Sequence, residues 1–482
     1  MSLSSAIHAA RSGLQINGLR ADNVATNVAN ATTPGYVRRS VILSETLVGG
    51  TSTGVRATGI ARSQDFALTA QRRGLSSDLA QANVASSAWL SISTRLGDAT
   101  GSSGLFQTFA NFESSLANAA TSPESGTDAL AVLSSARAII REFQDLAGMA
   151  TNIRAEADRE IADGVKIVNS ALQQVQDLNS RIAGVDRSSN QAAALLDERQ
   201  RVLDTIAEYL PIQTIERDSG TIDILTREGV FLLAGTAREI EFDPSIAFGP
   251  EQTLASGSLS GLSVDGTNLT PGTASYSAIS SGLFGALFSL RDQDIPAFNA
   301  QLDGLAEGLV ARLSNDAIDP TKIPGENGLF VDTKAPGTPG LAGRLSLNAA
   351  LDPEQGGEVW RLRDGLGAAA PGPSGDGSIL QNLLAAMTAV EPVNSNGIQG
   401  VFSSTEMVAH FSSLTGQTRL HHETVLSSTV SQHALLAEAE QATSGVDIDT
   451  QLQDLLLIEQ AYAANARVIE AASQMINRLM EI

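Results

Sequence analysis

The chain has 482 residues, 42% of them hydrophobic but only 4% aromatic, with a net charge of −22 and an isoelectric point near 4.6. Its length supports about two to four domains with cores of Ala, Leu, Ile and Val, and its charge argues against nucleic acid or an anionic membrane as partner. The absence of cysteine excludes a disulfide framework and a thiolate metal centre.

No run of about 18 apolar residues marks a membrane span. No charged segment leading into an apolar one marks a cleaved signal, so composition alone points to the cytosol.

The first segment predicts a helix. Leu3, Ile7, Ala10, Leu14, Asn17, Ala21, Val24, Val28 and Ala31 recur at alternating steps of four and three, the seam of a coiled coil. Thr32-Thr33-Pro34-Gly35 stops it, because the residue before proline avoids the helical region. Tyr36 to Leu43 then reads as a strand. Val55 to Ile60 reads as another, in a segment punctuated by Gly49-Gly50, Gly54 and Gly59. This start is basic, with Arg11, Arg20, Arg38 and Arg39 against Asp22 alone in the first 44 residues.

Helices are expected over 66–96, 105–120 and 129–149, with a Gly-Ser break at 101–104. A further helix carries Ile161, Val165, Val168, Leu172, Val175, Asn179 and Ile182, with Gly184 as its C-terminal stop. A shorter one with Leu195, Leu196, Val202, Leu203 and Ile206 ends at Pro211. There the period changes. Short runs at 212–217, 221–226, 230–233 and 238–242, separated by Asp218-Ser219-Gly220 and Arg227-Glu228-Gly229, predict hairpins.

Helix returns at 283–290 and, after Pro296, with Phe298, Leu302, Leu305, Leu309 and Leu313. Residues 317–343 and 365–378 read as loops, 343–348 as a strand and 379–390 as a helix. A helix of about forty residues from Ser404 ends at Thr443-Ser444-Gly445. Asp447 or Asp449 is placed to cap the last helix. That helix has two apolar stripes: Leu455, Tyr462, Ala466, Ile469, Ile476 and Met480, and beside them Ile458, Ala461, Val468, Ala472, Met475, Leu479 and Ile482. Such a face is wider than one partner helix needs.

The expected class is mainly α with a β insertion. Both termini build a discontinuous, coiled-coil-like helical bundle around an inserted small β domain. Its divisions are 1–60 with 444–482 as terminal helices and strands, 61–211 with 283–316 and 344–443 as a helical bundle, 212–282 as the β insertion, and 317–343 as loop. The terminal seams are expected to pack between molecules, with Asn17 and Asn465 setting register. The subunit-interface candidates are Leu3, Ile7, Leu14, Val24, Val28, Leu455, Ile458, Tyr462, Val468, Ile469, Met475, Ile476 and Leu479.

Catalytic and metal motifs are weak. Gly365-Leu366-Gly367-Ala368-Ala369-Ala370 has the letters of a dinucleotide loop but neither the preceding strand nor the following helix. Asp447-Ile448-Asp449 lacks the glycine and glutamate of a calcium loop. In His421-His422-Glu423, neighbours point about 100° apart on a helix, so His421 reads as a packing residue rather than a metal ligand. No catalytic residue, cofactor or metal is expected.

Two end segments carry a resemblance. Leu14-Gln15-Ile16-Asn17-Gly18-Leu19, continuing through Asn27-Val28-Ala29-Asn30-Ala31-Thr32-Thr33-Pro34-Gly35-Tyr36, resembles the N-terminal motif of bacterial flagellar rod, hook and hook-associated proteins. Ser444-Gly445-Val446-Asp447 with Gln460-Ala461-Tyr462-Ala463-Ala464-Asn465-Ala466-Arg467-Val468-Ile469 is similar to their C-terminal motif. Leu195-Leu196-Asp197-Glu198-Arg199, Leu232-Leu233-Ala234-Gly235, Leu290-Arg291-Asp292 with Ile295-Pro296, Gln301 to Ala306, and Gly343 to Asn348 resemble the hook-associated members rather than the rod or hook ones. The loops at 249–282 and 317–342 resemble nothing in the family, and a histidine that members carry after Asn315 is missing.

The resemblance implies a structural protein that self-assembles through its terminal helices into a junction layer between hook and filament. It implies export through the flagellar type III channel without a cleaved signal, which replaces the cytosolic default with an extracellular place on the flagellum. A transient cytoplasmic stage with an export chaperone, bound through residues 452–482, is also implied. Other implied partners are the chain itself, the hook protein and a second junction protein. The alternatives are a distal rod or hook protein, or an enzyme carried by the β insertion, which has no cluster of acids and histidines within 211–282.

Overall fold

The computed structural model describes residues 3–48, 51–97, 101, 103–334 and 337–480. Gly49-Gly50, part of the Gly-Ser break and Ile482 of the second stripe lie outside the described residues. Helix α1 (Leu3–Ala29) leads into the antiparallel hairpin β1 (Arg39–Val48) and β2 (Thr51–Arg62). Helices α2 (Phe66–Leu96), α3 (Leu105–Thr121), α4 (Gly126–Ala183) and α5 (Asn190–Tyr209) follow.

One sheet is then built in chain order from β3 (Ile212–Glu216), β4 (Ile222–Thr226), β5 (Phe231–Ala234) and β6 (Thr236–Ala237). A smaller one uses β7 (Ile240–Glu241), β8 (Ser263–Val264) and β9 (Thr267–Asn268). Helix α6 (Gly282–Ser289) runs through a π-turn at Leu290–Asp294 into α7 (Ile295–Leu313). Strand β10 (Phe330–Asp332), the short α8 (Leu341–Arg344) and β11 (Leu345–Leu347) precede α9 (Arg361–Asp364) and α10 (Ser378–Thr388). The hairpin β12 (Glu391–Ser395) and β13 (Ile398–Phe402) leads into α11 (Ser404–Ser444) and α12 (Ile448–Met480).

The expected mainly helical fold with β insertions is present, with several local corrections. The helices expected at 129–149 and from 161 are a single helix, α4. Between them Ala150 to Glu160 contains neither Gly nor Pro and is rich in helix formers, so nothing breaks the turn. The strand expected from Tyr36 begins at Arg39, and that expected at 55–60 spans 51–62. The stretch 317–343, expected as loop, includes β10, whose three residues pair with β11. The hairpin at 391–402 was not expected at all.

Two apolar clusters fill the body. One gathers Trp89, Phe109, Phe112, Phe143, Phe298 and Phe411 from α2, α3, α4, α7 and α11, with edge-to-face rings in the Phe109–Phe143 pair at 6.1 Å. The other joins the second half of α4 and α5 to inward residues of the two sheets, such as Ile224, Leu233 and Val264. Burial of each such large side chain is worth about 2 kcal/mol.

Helices α2 and α11 also pair antiparallel with each other. Thr69 Oγ1 donates to Glu440 at 2.6 Å, Ser76 meets His433 at 3.1 Å, and the His422 ring stacks on Trp89 with centroids 6.2 Å apart. The packing histidine is therefore His422, not His421, which is exposed.

Burial lowers the pKa of both His422 and His433 from the ordinary 6.5; Asp294 opposes and His421 assists at the first, while Arg72 assists and Glu440 opposes at the second. The fold thus favours neutral rings and the unfolded chain takes up protons first. The contact is strongest above pH 6.5 and is lost as pH falls below it. The protection factors of residues 416–443, with exchange rates corrected for the intrinsic pH dependence of amide exchange, are expected to fall from pH 7.5 to pH 5, and less so in a His422→Phe, His433→Gln chain. Equal protection factors at both pH values would contradict this.

Candidate assembly surface at the paired termini

The two ends of the chain pair with each other. Near one end of the pair Asn27 Nδ2 donates to Gln451 Oε1 at 2.8 Å. Near the other, Gly13 lies so close to Asn465 that an added Cβ would stand 2.6 Å from its Nδ2. From 27 to 13 and from 451 to 465 is fourteen residues each way, so α1 and α12 run antiparallel without a slip in register. That register sets residue 475 opposite Leu3, and the last turn of α12 projects past α1.

Ala10, Asn17 and Val24 on α1 and Ile458 and Ala472 on α12 are buried, one residue per heptad on α1 and one per two heptads on α12. Asn17 and Asn465, the expected register-setters, both lie within the pair: Asn17 is buried and Asn465 half-buried against Gly13.

A polar node fixes this pair to the rest of the chain. Asn27, 1% exposed, donates to Arg39 O at 2.9 Å, and its Oδ1 accepts from Arg39 N at 3.1 Å and from the Tyr36 hydroxyl at 2.8 Å. One carboxamide therefore holds the end of α1, the start of β1 and the start of α12. Burial raises the Tyr36 pKa, with Arg39 opposing and Asp197 adding, and the neutral phenol it favours is the donor this bond needs.

From Arg39 the chain of contacts runs outward. Arg39 Nη2 donates to Asp197 Oδ2 at 2.7 Å, and Arg62 donates to Asp197 Oδ1 at 2.7 Å. Arg38 N donates to Ser444 O at 2.8 Å, and Asp447 caps α12 by accepting from Asp449 N at 3.0 Å.

The predicted interface residues divide between two environments. Val24 and Ile458 are buried within this single chain, and Leu3, Ile7, Leu14, Val28 and Ile469 are half-buried. Leu455, Tyr462, Val468, Met475, Ile476 and Leu479 are exposed, from 36% at Ile476 to 67% at Leu479. Leu452, Leu456, Leu457 and Met480 are exposed with them. The two stripes of α12 are therefore covered unequally. Ile458 and Ala472 of the second are buried, while Val468, Met475 and Leu479 of that stripe and most of the first are open to water.

Sequence reasoning missed Ile16, Asn23, Asn27 and Gln451, all buried. Ile16, Asn23 and Asn27 form a second α1 stripe beside the seam, against the β1–β2 hairpin and Gln451 at the start of α12. The only signal was Asn27 at a spacing of four from Asn23, which reads as a polar surface unless its partners are known.

Among the described residues no group of three or more His, Asp or Glu side chains is placed to hold a metal. The Gly365 turn follows the one-turn α9 and gives its Leu366 N–H to Asp319 at 2.7 Å, a structural loop.

The family model described as "Flagellar hook-associated protein FlgK helical domain" matches residues 91–317, and that described as "Flagellar basal body rod FlgEFG protein C-terminal" matches residues 441–482. The chain is 25% identical over 313 residues to flagellar hook-associated protein 1 of Salmonella typhimurium, covering 63% of this chain and 55% of that protein. It is 26% identical over 235 residues to the protein of the same name from Bacillus subtilis, covering 46% of each. The chain spans about half the length of the curated relatives it matches. A solved structure, the flagellar hook junction protein FlgK from Burkholderia pseudomallei, aligns with a TM-score of 0.45 at 18% identity, over 55% of this chain and 46% of that one.

Proposed function

We infer that this chain, which belongs to the flagellar hook-associated protein 1 family, is a structural subunit that joins hook to filament through α1 and α12. The observation that carries this reading is the exposed apolar face of α12, from Leu452 to Met480, on a helix already paired with α1. Contacts repeated head to tail that do not close give a helical layer, and such a face is what a neighbouring subunit would cover. The match of the helical domain to 91–317 favours a hook-associated member over a rod or hook protein.

The same face suits an export chaperone in the cytoplasm, because it would have to be shielded before assembly. Export through the flagellar type III channel then places the subunit outside the cell, against the hook protein and a second junction protein.

Leu455→Asp tests the proposal in cells lacking the native chain. Leu455 is 40% exposed, so the purified variant is expected to lose no more than about 0.5 kcal/mol of stability. Filament attachment and swimming are expected to disappear. Ile458→Asp, which places a charge at a site 3% exposed, is expected to lower both stability and motility. Normal swimming by Leu455→Asp cells would reject the assembly role of this face.

A further inference from the structure

We propose that the cavity enclosed by α2, α5 and the β3–β4 hairpin binds a small oxyanion of the phosphate or sulfate class, at a site separate from the terminal face. The cavity has a volume of about 220 Å³. Its lining includes the guanidinium groups of Arg62, Arg73 and Arg199 and the carboxamide of Gln200, with Thr214 and Glu216 at the strand side. A chain with a net charge of −22 thus turns three of its cations inward at one point.

Charge bookkeeping around the cavity leaves an excess. Asp197 is shared by Arg39 and Arg62, and Asp204 by Arg72 and Arg73, while Glu440 also takes Arg72. Arg199 has no carboxylate within ion-pair distance among the described residues. Its Nη1 donates instead to Asn179 Oδ1 at 3.0 Å and Gly220 O at 2.8 Å. The remaining acid, Glu216, is exposed. Of the three guanidinium groups on the lining, Arg62 and Arg73 are ion-paired and Arg199 is not.

Two side chains of the lining each carry a donor without a partner. Arg73 Nη2 and Gln200 Nε2 are shielded from solvent and have no hydrogen-bond partner, although Arg73 is only 7% exposed and its Nε is held by Asp204 at 2.7 Å. Buried donors left unpartnered are costly, and charged ones more so. Burial also pushes the Arg199 pKa down to about 10; Glu216 opposes this, and Arg62 and Arg73 add to it.

Water fits the space, since one molecule needs only about 10–15 Å³. Water would satisfy the donors but not the excess charge. An oxyanion does both, and guanidinium forks are shaped for its paired oxygens. Bound there, it would tie the end of β2 and the root of α2 to α5 and the sheet.

Titration calorimetry of the full chain with inorganic phosphate, and separately sulfate, at constant ionic strength tests this. Wild type is expected to bind one anion. Gln200→Glu keeps the acceptor that takes the Gln64 amide, 3.2 Å away, and sets a fixed carboxylate beside the guanidinium groups. It is expected to weaken phosphate binding by about tenfold or more, the effect of one charge-assisted hydrogen bond, while its melting temperature holds or rises. Arg199→Gln is expected to weaken binding similarly, and the near-isosteric Gln200→Glu decides the matter if that variant folds poorly. A flat titration of the wild type with both anions, or binding unchanged in Gln200→Glu, would overturn the assignment.

Discussion

Asp158→Ala is expected to destabilise the body by about 2–4 kcal/mol, because it takes the acceptor from one guanidinium nitrogen of Arg291 and from the Ser245 N–H. Arg291 is 0% exposed and Asp158 1% exposed, and Arg291 Nη1 donates to Asp158 Oδ1 at 2.6 Å. The same guanidinium donates to both oxygens of Asp292 at 2.9 Å and to Ser260 O at 2.8 Å, and lies 4.6 Å from the centre of the Phe288 ring. The second oxygen of Asp158 accepts from Ser245 N at 2.8 Å. Its removal therefore loosens α4, the π-turn and the loop between β7 and β8 together.

The π-turn explains why the arginine is there. Ile295 N–H reaches back to Leu290 O, but Pro296 has no N–H to offer Arg291 O. Arg154 Nε donates to that carbonyl at 2.8 Å, and the rest of its guanidinium holds Gly249 O at 3.1 Å and Gln252 O at 2.6 Å. The break in the helix is thus bridged by α4. Removing both charges, as in Asp158→Leu with Arg291→Met, is expected to recover little of the loss unless Asp292→Leu is added, because Asp292 otherwise loses the guanidinium that holds both of its oxygens. Chemical unfolding followed by circular dichroism measures each of these chains. A cost below about 1 kcal/mol for Asp158→Ala would show that the pair is not what holds these parts.

Elements with local causes were legible. Helix α2 has the ends expected of it because Asp65 accepts from Ala67 and Leu68 N–H groups at one end and Gly97, with φ +74°, stops the other. Helix α11 starts at the capping box of Ser403 and Glu406. Where the cause was remote, sequence reasoning stopped short. Helix α4 looked interrupted near residues 150–160 because its buried face there carries Arg154 and Asp158 in place of aliphatic residues, and their partners lie about Gly249 and Arg291.

The hairpin of β12 and β13 did have a local signal. Asn396 and Gly397, with φ of +47° and +87°, make the left-handed pair that a two-residue turn prefers. Its flanks, with Pro392, Asn394 and Gly400, lack the alternating apolar residues that draw attention to a strand. For the assembly surface, the apolar stripes were legible but their direction was not. The period shows that α12 has two of them; only the pairing with Gly13 and Asn27 shows which of their residues face α1.

Asn27→Leu is expected to release the terminal helix pair while leaving the body folded. The substitution keeps the volume but leaves the N–H and C=O of Arg39, the Tyr36 hydroxyl and the Gln451 amide without their shared partner. Each buried polar group so stranded costs about 1–3 kcal/mol. Against that, the large aliphatic side chains buried in α1 and α12 among the described residues are Ile16, Val24 and Ile458, each worth about 2 kcal/mol. The node is therefore a major share of what holds the pair, and its loss is expected to be of the order of 3 kcal/mol or more. Hydrogen exchange read by mass spectrometry distinguishes local from global opening. Peptides within 3–48 and 448–480 are expected to exchange at least about tenfold faster, by the relation of 1.4 kcal/mol to each factor of ten, while those within 105–183 keep their protection. Uniform acceleration across the chain would mean that Asn27 supports the whole fold, and no acceleration at the ends would mean that the seam alone suffices.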